Sequence, residues 1–137
     1  VPAAATRVAL IVEDADSLLP QPLVHAIVFD LPPGDMSLAD GAIDPDGDLG
    51  PRLGRNSMLG TGWLPPDPPP GHGPHRYAFQ VFALAGGGRH RGRPGREALA
   101  RALRKHAIAS GCLIGTYERL DPGVRVGQAP MPAPTAE

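Results

Sequence analysis

Residues 65–84, PPDPPPGHGPHRYAFQVFAL, change character twice, and the two changes decide how the chain folds. Pro65, Pro66, Pro68, Pro69 and Pro70 fix φ and remove backbone donors. They make a stiff polyproline-like wall and exclude a helix or an inner strand. Gly71 and Gly73 follow, where the backbone can turn sharply or approach a ligand closely. In the extended chain that comes next, His75 and Tyr77 project to one face and Arg76 to the other. From Tyr77 to Leu84 both alternating sets are apolar, which predicts a central strand. A rigid wall, a glycine turn and two polar rings on one face together form the rim of a pocket.

Around this stretch the composition sets limits. At 137 residues the chain suits one domain with one core. Its 18 glycines and 18 prolines favour a loop-rich, β-dominated protein over a helical bundle. A formal charge of −1 lacks the basic excess of a dedicated nucleic-acid binder, so no nucleic-acid partner is expected. One cysteine, Cys112, excludes an internal disulfide and a cysteine-based zinc cluster. It lies in an apolar run and is expected in the core. No apolar run is long enough for a membrane span, and a cytoplasmic location is expected.

Toward the N-terminus, Arg7 to Glu13 is an apolar, β-branched run that reads as a buried strand. Glu13, Asp14 and Asp16 lie at its exit, and Asp14 and Asp16 share a face if the chain stays extended. Leu23 to Leu31 reads as a second apolar strand, with His25 at the parity of Ile27 and Phe29 and therefore on their face. Asp35 to Met58 is glycine-rich and acidic. Asp44, Asp46 and Asp48 do not meet the spacing of a calcium loop and read as turns. Toward the C-terminus, Arg89, His90, Arg91, Arg93 and Arg96 make a basic patch, suited to solvent or to an anionic or acidic partner. Pro94 to His106 carries the stripe Ala98, Leu99, Ala102, Leu103 of an amphipathic helix, with basic residues at its C-terminal end. Ala107 to Arg119 reads as a closing strand with candidate bulges at Gly111 and Gly115. The domain is expected over 1–120, followed by a flexible Pro/Ala-rich tail over 121–137.

The residues EDADS at 13–17, VH at 24–25, the GHGPHRYAF run at 71–79, the short helix and GTYER at 115–119 resemble the phosphatidylethanolamine-binding protein family, in particular its bacterial Raf-kinase-inhibitor-like branch. The resemblance runs from about Val1 to Leu120. It implies a mostly β fold, a Greek-key β-sandwich with one short helix near the C-terminus. It also implies a small anion pocket in which Asp14 and Asp16 are the family's two acids, His25 its strand histidine, Pro68 and Pro69 its paired prolines, and His75 and Tyr77 its HRY motif. Gly71 joins them through its backbone N–H. Family members carry further residues, including early strands, ahead of the point where this sequence opens. Ala26 stands where tryptophan is usual, and Pro65 and Asp67 stand where glycines line the pocket mouth, which predicts a stiffer, more acidic rim.

The function expected from these residues is non-enzymatic binding of a small anion or a phosphorylated or phospholipid headgroup, with modulation of a protein partner. No cofactor and no metal are expected, and a homodimer is compatible with the sequence. The alternative is an enzyme, a cyclase or isomerase, using His25, Asp14 and His75 for acid-base chemistry on a small-molecule substrate. No serine or cysteine stands in a nucleophile motif. A metal site at His72 and His75 is disfavoured, because their spacing spans a Gly-Pro turn and not a helix.

Overall fold

In the computed structural model, which describes residues 1–122, the chain forms β1 (Arg7–Asp14), β2 (Leu23–Leu31), β3 (His75–Leu84), α1 (Arg96–His106) and β4 (Ala107–Tyr117). The strands make one antiparallel sheet in the order β2-β1-β3-β4. The mostly β class is therefore as expected. Among the described residues the strands form this one sheet, with a helix over one face and the long 32–74 segment over the other.

Each face buries its own apolar set. Ala9, Ile11, Val24, Ile27, Phe29 and Leu84 pack against Leu99 of α1, with Leu103 beside them. The helix fits here because Leu99 and Leu103, four apart, fall on one stripe. On the other face Val8, Val28 and Leu31 meet Leu49 and Leu53 from the connecting segment. A short 3-10 turn at Gly50–Arg52 and an isolated bridge between Leu53 and Val28 press that segment onto the sheet. Ile27 and Leu53 are fully buried, each contributing about 1.5–3 kcal/mol by removal from water.

The boundaries differ from expectation in informative ways. β3 begins at His75, so both rings of the HRY motif lie on the ladder. α1 begins at Arg96, because Gly95 is its extended N-cap. β4 shows no bulge at Gly111 or Gly115, which pair in register with Val81 and Tyr77; the shift lies instead at Ala83/Leu84. Cys112 is exposed, contrary to the core placement. The reason is topological: β4 is the edge strand, and Ile108, Leu113, Ile114 and Tyr117 are all exposed with it. The tail expected from 121 lies outside the described residues from 123 onward.

Candidate functional site

β1 ends at Asp14, and Asp14 pairs across the ladder with Tyr77 of β3. His75, two residues before Tyr77, therefore projects on the same face, beside the Asp14 carboxylate. Its Nδ1 lies 2.7 Å from Asp14 Oδ2, and the residues are 3% and 4% exposed. A carboxylate only accepts, so Nδ1–H is the donor and Nε2 is left to face outward. There it meets Nδ1 of the exposed His72 at 3.0 Å. A chain of carboxylate, buried imidazole and surface imidazole results.

His25 reaches the same face by an irregularity. Opposite Val12 the partner is Ala26 and opposite Glu13 it is Val24, so the β1/β2 register passes over His25. This bulge turns the imidazole away from Ile27 and Phe29, correcting the side assigned by simple alternation. Its ring stands edge-on to Tyr77 at 5.2 Å between centroids and 6.3 Å from Trp63. Nδ1 donates to the Leu64 carbonyl at 2.6 Å, and the Leu64 N–H returns a bond to the His25 carbonyl at 2.8 Å. That carbonyl fixes the tautomer in the neutral ring, leaving a lone pair on Nε2.

Among the described residues, two buried polar atoms here have no hydrogen-bond partner: His25 Nε2 and the Tyr77 hydroxyl. Burial, and next the Asp14 carboxylate, push the Tyr77 phenol up to about 12. Tyr77 is thus a protonated donor at neutral pH, and His25 Nε2 is an acceptor in the neutral ring. Buried polar groups are nearly always satisfied, so this unpaired donor and acceptor mark a candidate ligand position.

The other anticipated residues are placed differently. The strand ends before Ala15, so Asp16 turns away from Asp14 and does not share its face. The Asp16 N–H donates to Asp14 Oδ1 at 2.8 Å. The Asp16 carboxylate accepts from the Arg76 N–H, Nε and Nη2 at 2.7, 2.9 and 2.8 Å. This fork holds Asp16 well below the usual carboxylate range and raises the Arg76 guanidinium. Pro68 is buried, whereas Pro69 is exposed and its carbonyl accepts the His72 N–H at 3.2 Å. The Gly71 N–H donates to the Arg119 carbonyl at 2.9 Å and so does not point at an anion. Gly71 is left-handed at φ +71°, and Asp121 Oδ1 lies 2.1 Å from where a Cβ would stand. Asp67, the acidic departure at the rim, is ion-paired with Arg119. The rim is therefore tied to the segment after β4.

The structure thus gathers Asp14, His25, His75 and Tyr77, and adds His72, Trp63 and the Leu64 carbonyl. Sequence signalled His72 only through its spacing from His75. The Leu64 carbonyl carries no side-chain signal at all.

Residues 1–118 match the family model described as phosphatidylethanolamine-binding protein. A UPF0098 protein of Pyrococcus abyssi is 34% identical over 119 residues, covering 84% of this chain and 65% of that one. A protein of Mycobacterium tuberculosis named as a lipoprotein, LppC, is 35% identical over 118 residues, covering 85% and 56%. This chain thus spans less than two thirds of the length of either relative. A crystal structure described as a phosphatidylethanolamine-binding protein homologue from Chlamydia trachomatis superposes with a TM-score of 0.74 at 35% identity, covering 87% of this chain and 76% of that one. Among the described residues no helix is long and apolar enough to cross a membrane.

Proposed function

We propose, for a chain that belongs to the phosphatidylethanolamine-binding protein family, that Asp14, His25, His75 and Tyr77 form a pocket for a singly protonated phosphoryl group, either free phosphate or a phosphorylated headgroup. The observation that carries this is the pair of unpartnered buried atoms. The Tyr77 hydroxyl donates to one phosphoryl oxygen, and His25 Nε2 accepts the proton of another. A ligand with one acceptor oxygen and one O–H satisfies both at once. A fully deprotonated anion satisfies only Tyr77 unless His25 gains a second proton. Asp16 and Gly71 act from outside it as turn and rim supports.

The rings are 1–3% exposed, so a ligand enters only when the cover moves. His72 is the movable part. It is exposed and holds the one nitrogen of His75 that Asp14 leaves free. When it moves aside, that nitrogen is left open to the ligand.

Titration with inorganic phosphate and with O-phosphoethanolamine, followed by the histidine ring nitrogens, tests the reading and separates the two sources. Saturable shifts of His25 and His75 that weaken in Tyr77→Phe support it. Tighter binding of the ester makes the headgroup the ligand. If neither moves these rings, the reading fails.

The second reading is acid-base catalysis on a small-molecule substrate by His25, Asp14 and His75. The observation favouring it is the chain from Asp14 through His75 to the exposed His72, which can pass a proton between the interior and solvent. Turnover lost in both His25→Ala and Asp14→Asn, with phosphate inert, decides for it. Modulation of a protein partner, homodimer formation and a cytoplasmic location belong to the proposal as well; the lipoprotein relative makes the last of these a matter for fractionation.

A further inference from the structure

At the opposite end of the sheet from the rings just described, cations converge without a visible purpose. The triglycine turn after β3 bends through Gly86 and Gly87, at φ +71° and +69°. Their carbonyls accept from Arg7 Nη1. The left-handed φ favours glycine at Gly87, where a Cβ would stand 2.8 Å from His106 Nε2 and 2.9 Å from Arg7 Nη2, the side-chain ends between which the loop passes. The same loop then carries Arg89 and His90 over α1. The result is a concave site of about 280 Å³ lined by Arg7, Arg89, His90, Arg101, Lys105 and His106, with no carboxylate among its lining residues.

One acid stands behind this group. Asp30, in the left-handed region at φ +55°, accepts the His90 N–H at 2.8 Å. It lies 3.4 Å from Arg7 Nε and 3.6 Å from His90 Nδ1. Neither of these contacts is a hydrogen bond. Among the described residues, Arg7 Nε, Asp30 Oδ1 and His90 Nδ1 are all buried without one, and Arg7 is 7% exposed as a residue. Among the described residues, Asp30 alone is ion-paired with Arg7, and Arg89, Arg101 and Lys105 have no ion-pair partner. A merely solvated basic face spreads its charges outward; these share one hollow. The C-terminal end of α1 contributes about half a negative charge here, which three fixed cations outweigh.

We propose that this hollow is a second anion site, separate from the His25 and Tyr77 pocket, that takes a small multiply charged ligand of the diphosphate class. Arg89 and Lys105 grip it from the loop and the helix, and Arg7 and His90 close its floor. Its size exceeds what orthophosphate fills, and its charge exceeds what a monoanion balances. Since the whole chain carries a formal charge of −1, attraction of a polyanion here is local and not a general property of the surface.

The five histidines divide the two sites: His25, His72 and His75 at one, His90 and His106 at the other. Inorganic pyrophosphate added to the 137-residue chain with nitrogen-15 in its histidine rings is expected to shift His90 and His106 saturably. Arg89→Ala combined with Lys105→Ala, both at exposed positions, should weaken that binding at least about tenfold, the loss expected of one or more charge-assisted hydrogen bonds. Tyr77→Phe should leave it unchanged. The proposal is overturned if His90 and His106 do not move, if the Arg89 and Lys105 replacements leave their shifts intact, or if Tyr77→Phe abolishes them.

Discussion

The Asp14 carboxylate and the His75 imidazole, 61 positions apart in sequence, are joined inside the protein by a 2.7 Å hydrogen bond between buried groups. Removing one member leaves the other buried and unpaired, which costs more than the pair contributes. Asp14→Ala should therefore lower stability by about 3 kcal/mol, and Asp14→Asn by less, because an amide oxygen still accepts from Nδ1. Urea unfolding of the two variants checks this order. Equal and small losses would mean that the pair is not buried as described.

His72 holds His75 Nε2 at 3.0 Å and must release it before the ligand reaches that nitrogen. His72→Ala should accordingly tighten phosphate binding about fivefold, the equivalent of one neutral hydrogen bond, whereas His75→Ala weakens it. Calorimetric titration of both variants reads the difference. Weaker binding in His72→Ala would make His72 a ligand contact and not a cover.

Much of this was legible from residues 65–84. The His75 and Tyr77 alternation and the apolar strands expected at 7–13 and 23–31 emerged as β3, β1 (Arg7–Asp14) and β2, because each segment is long and buried on at least one side. What sequence did not give is what depends on neighbours. Alternation assigned His25 to the wrong face because one bulge, invisible in a single strand, reverses it. Asp16 left the cluster because its fork to Arg76 requires a turn immediately after Asp14. Cys112 left the core because strand order, and not local hydrophobicity, makes β4 an edge.

The phenol of Tyr77 is raised to about 12 from its ordinary value of 10.0, chiefly by burial. Its folded value lies above the unfolded one, so the contribution of this proton to stability is complete below pH 10 and disappears as pH rises toward 12. Absorbance titration of the folded protein should show a late phenolate component that is missing in Tyr77→Phe. Identical curves would place Tyr77 in contact with water.

Asp16 behaves in the opposite sense. Its folded value lies below the ordinary 3.8, so the Arg76 fork stabilises above about pH 4 and is lost as pH falls further. Being at the surface, the effect is screened by salt. Asp16→Asn should reduce the acid sensitivity of the thermal midpoint in low salt and change little in high salt. A variant as acid-sensitive as the parent under both conditions would contradict the pairing.

Cys112 on the edge strand should react with Ellman's reagent in the native protein at the rate of a free thiol. Protection that disappears on dilution would show β4 covered by a second copy. Protection that persists would place another part of the protein over it.

In the proposed pocket the buried Tyr77 hydroxyl and His25 Nε2 receive a protonated phosphoryl group. Phosphate titration of the histidine ring nitrogens in parent and Tyr77→Phe proteins measures this directly. Saturable movement of His25 and His75 is expected, with affinity about tenfold weaker once the hydroxyl is gone. Rings that stay still at high phosphate, or that respond equally without the hydroxyl, would contradict it.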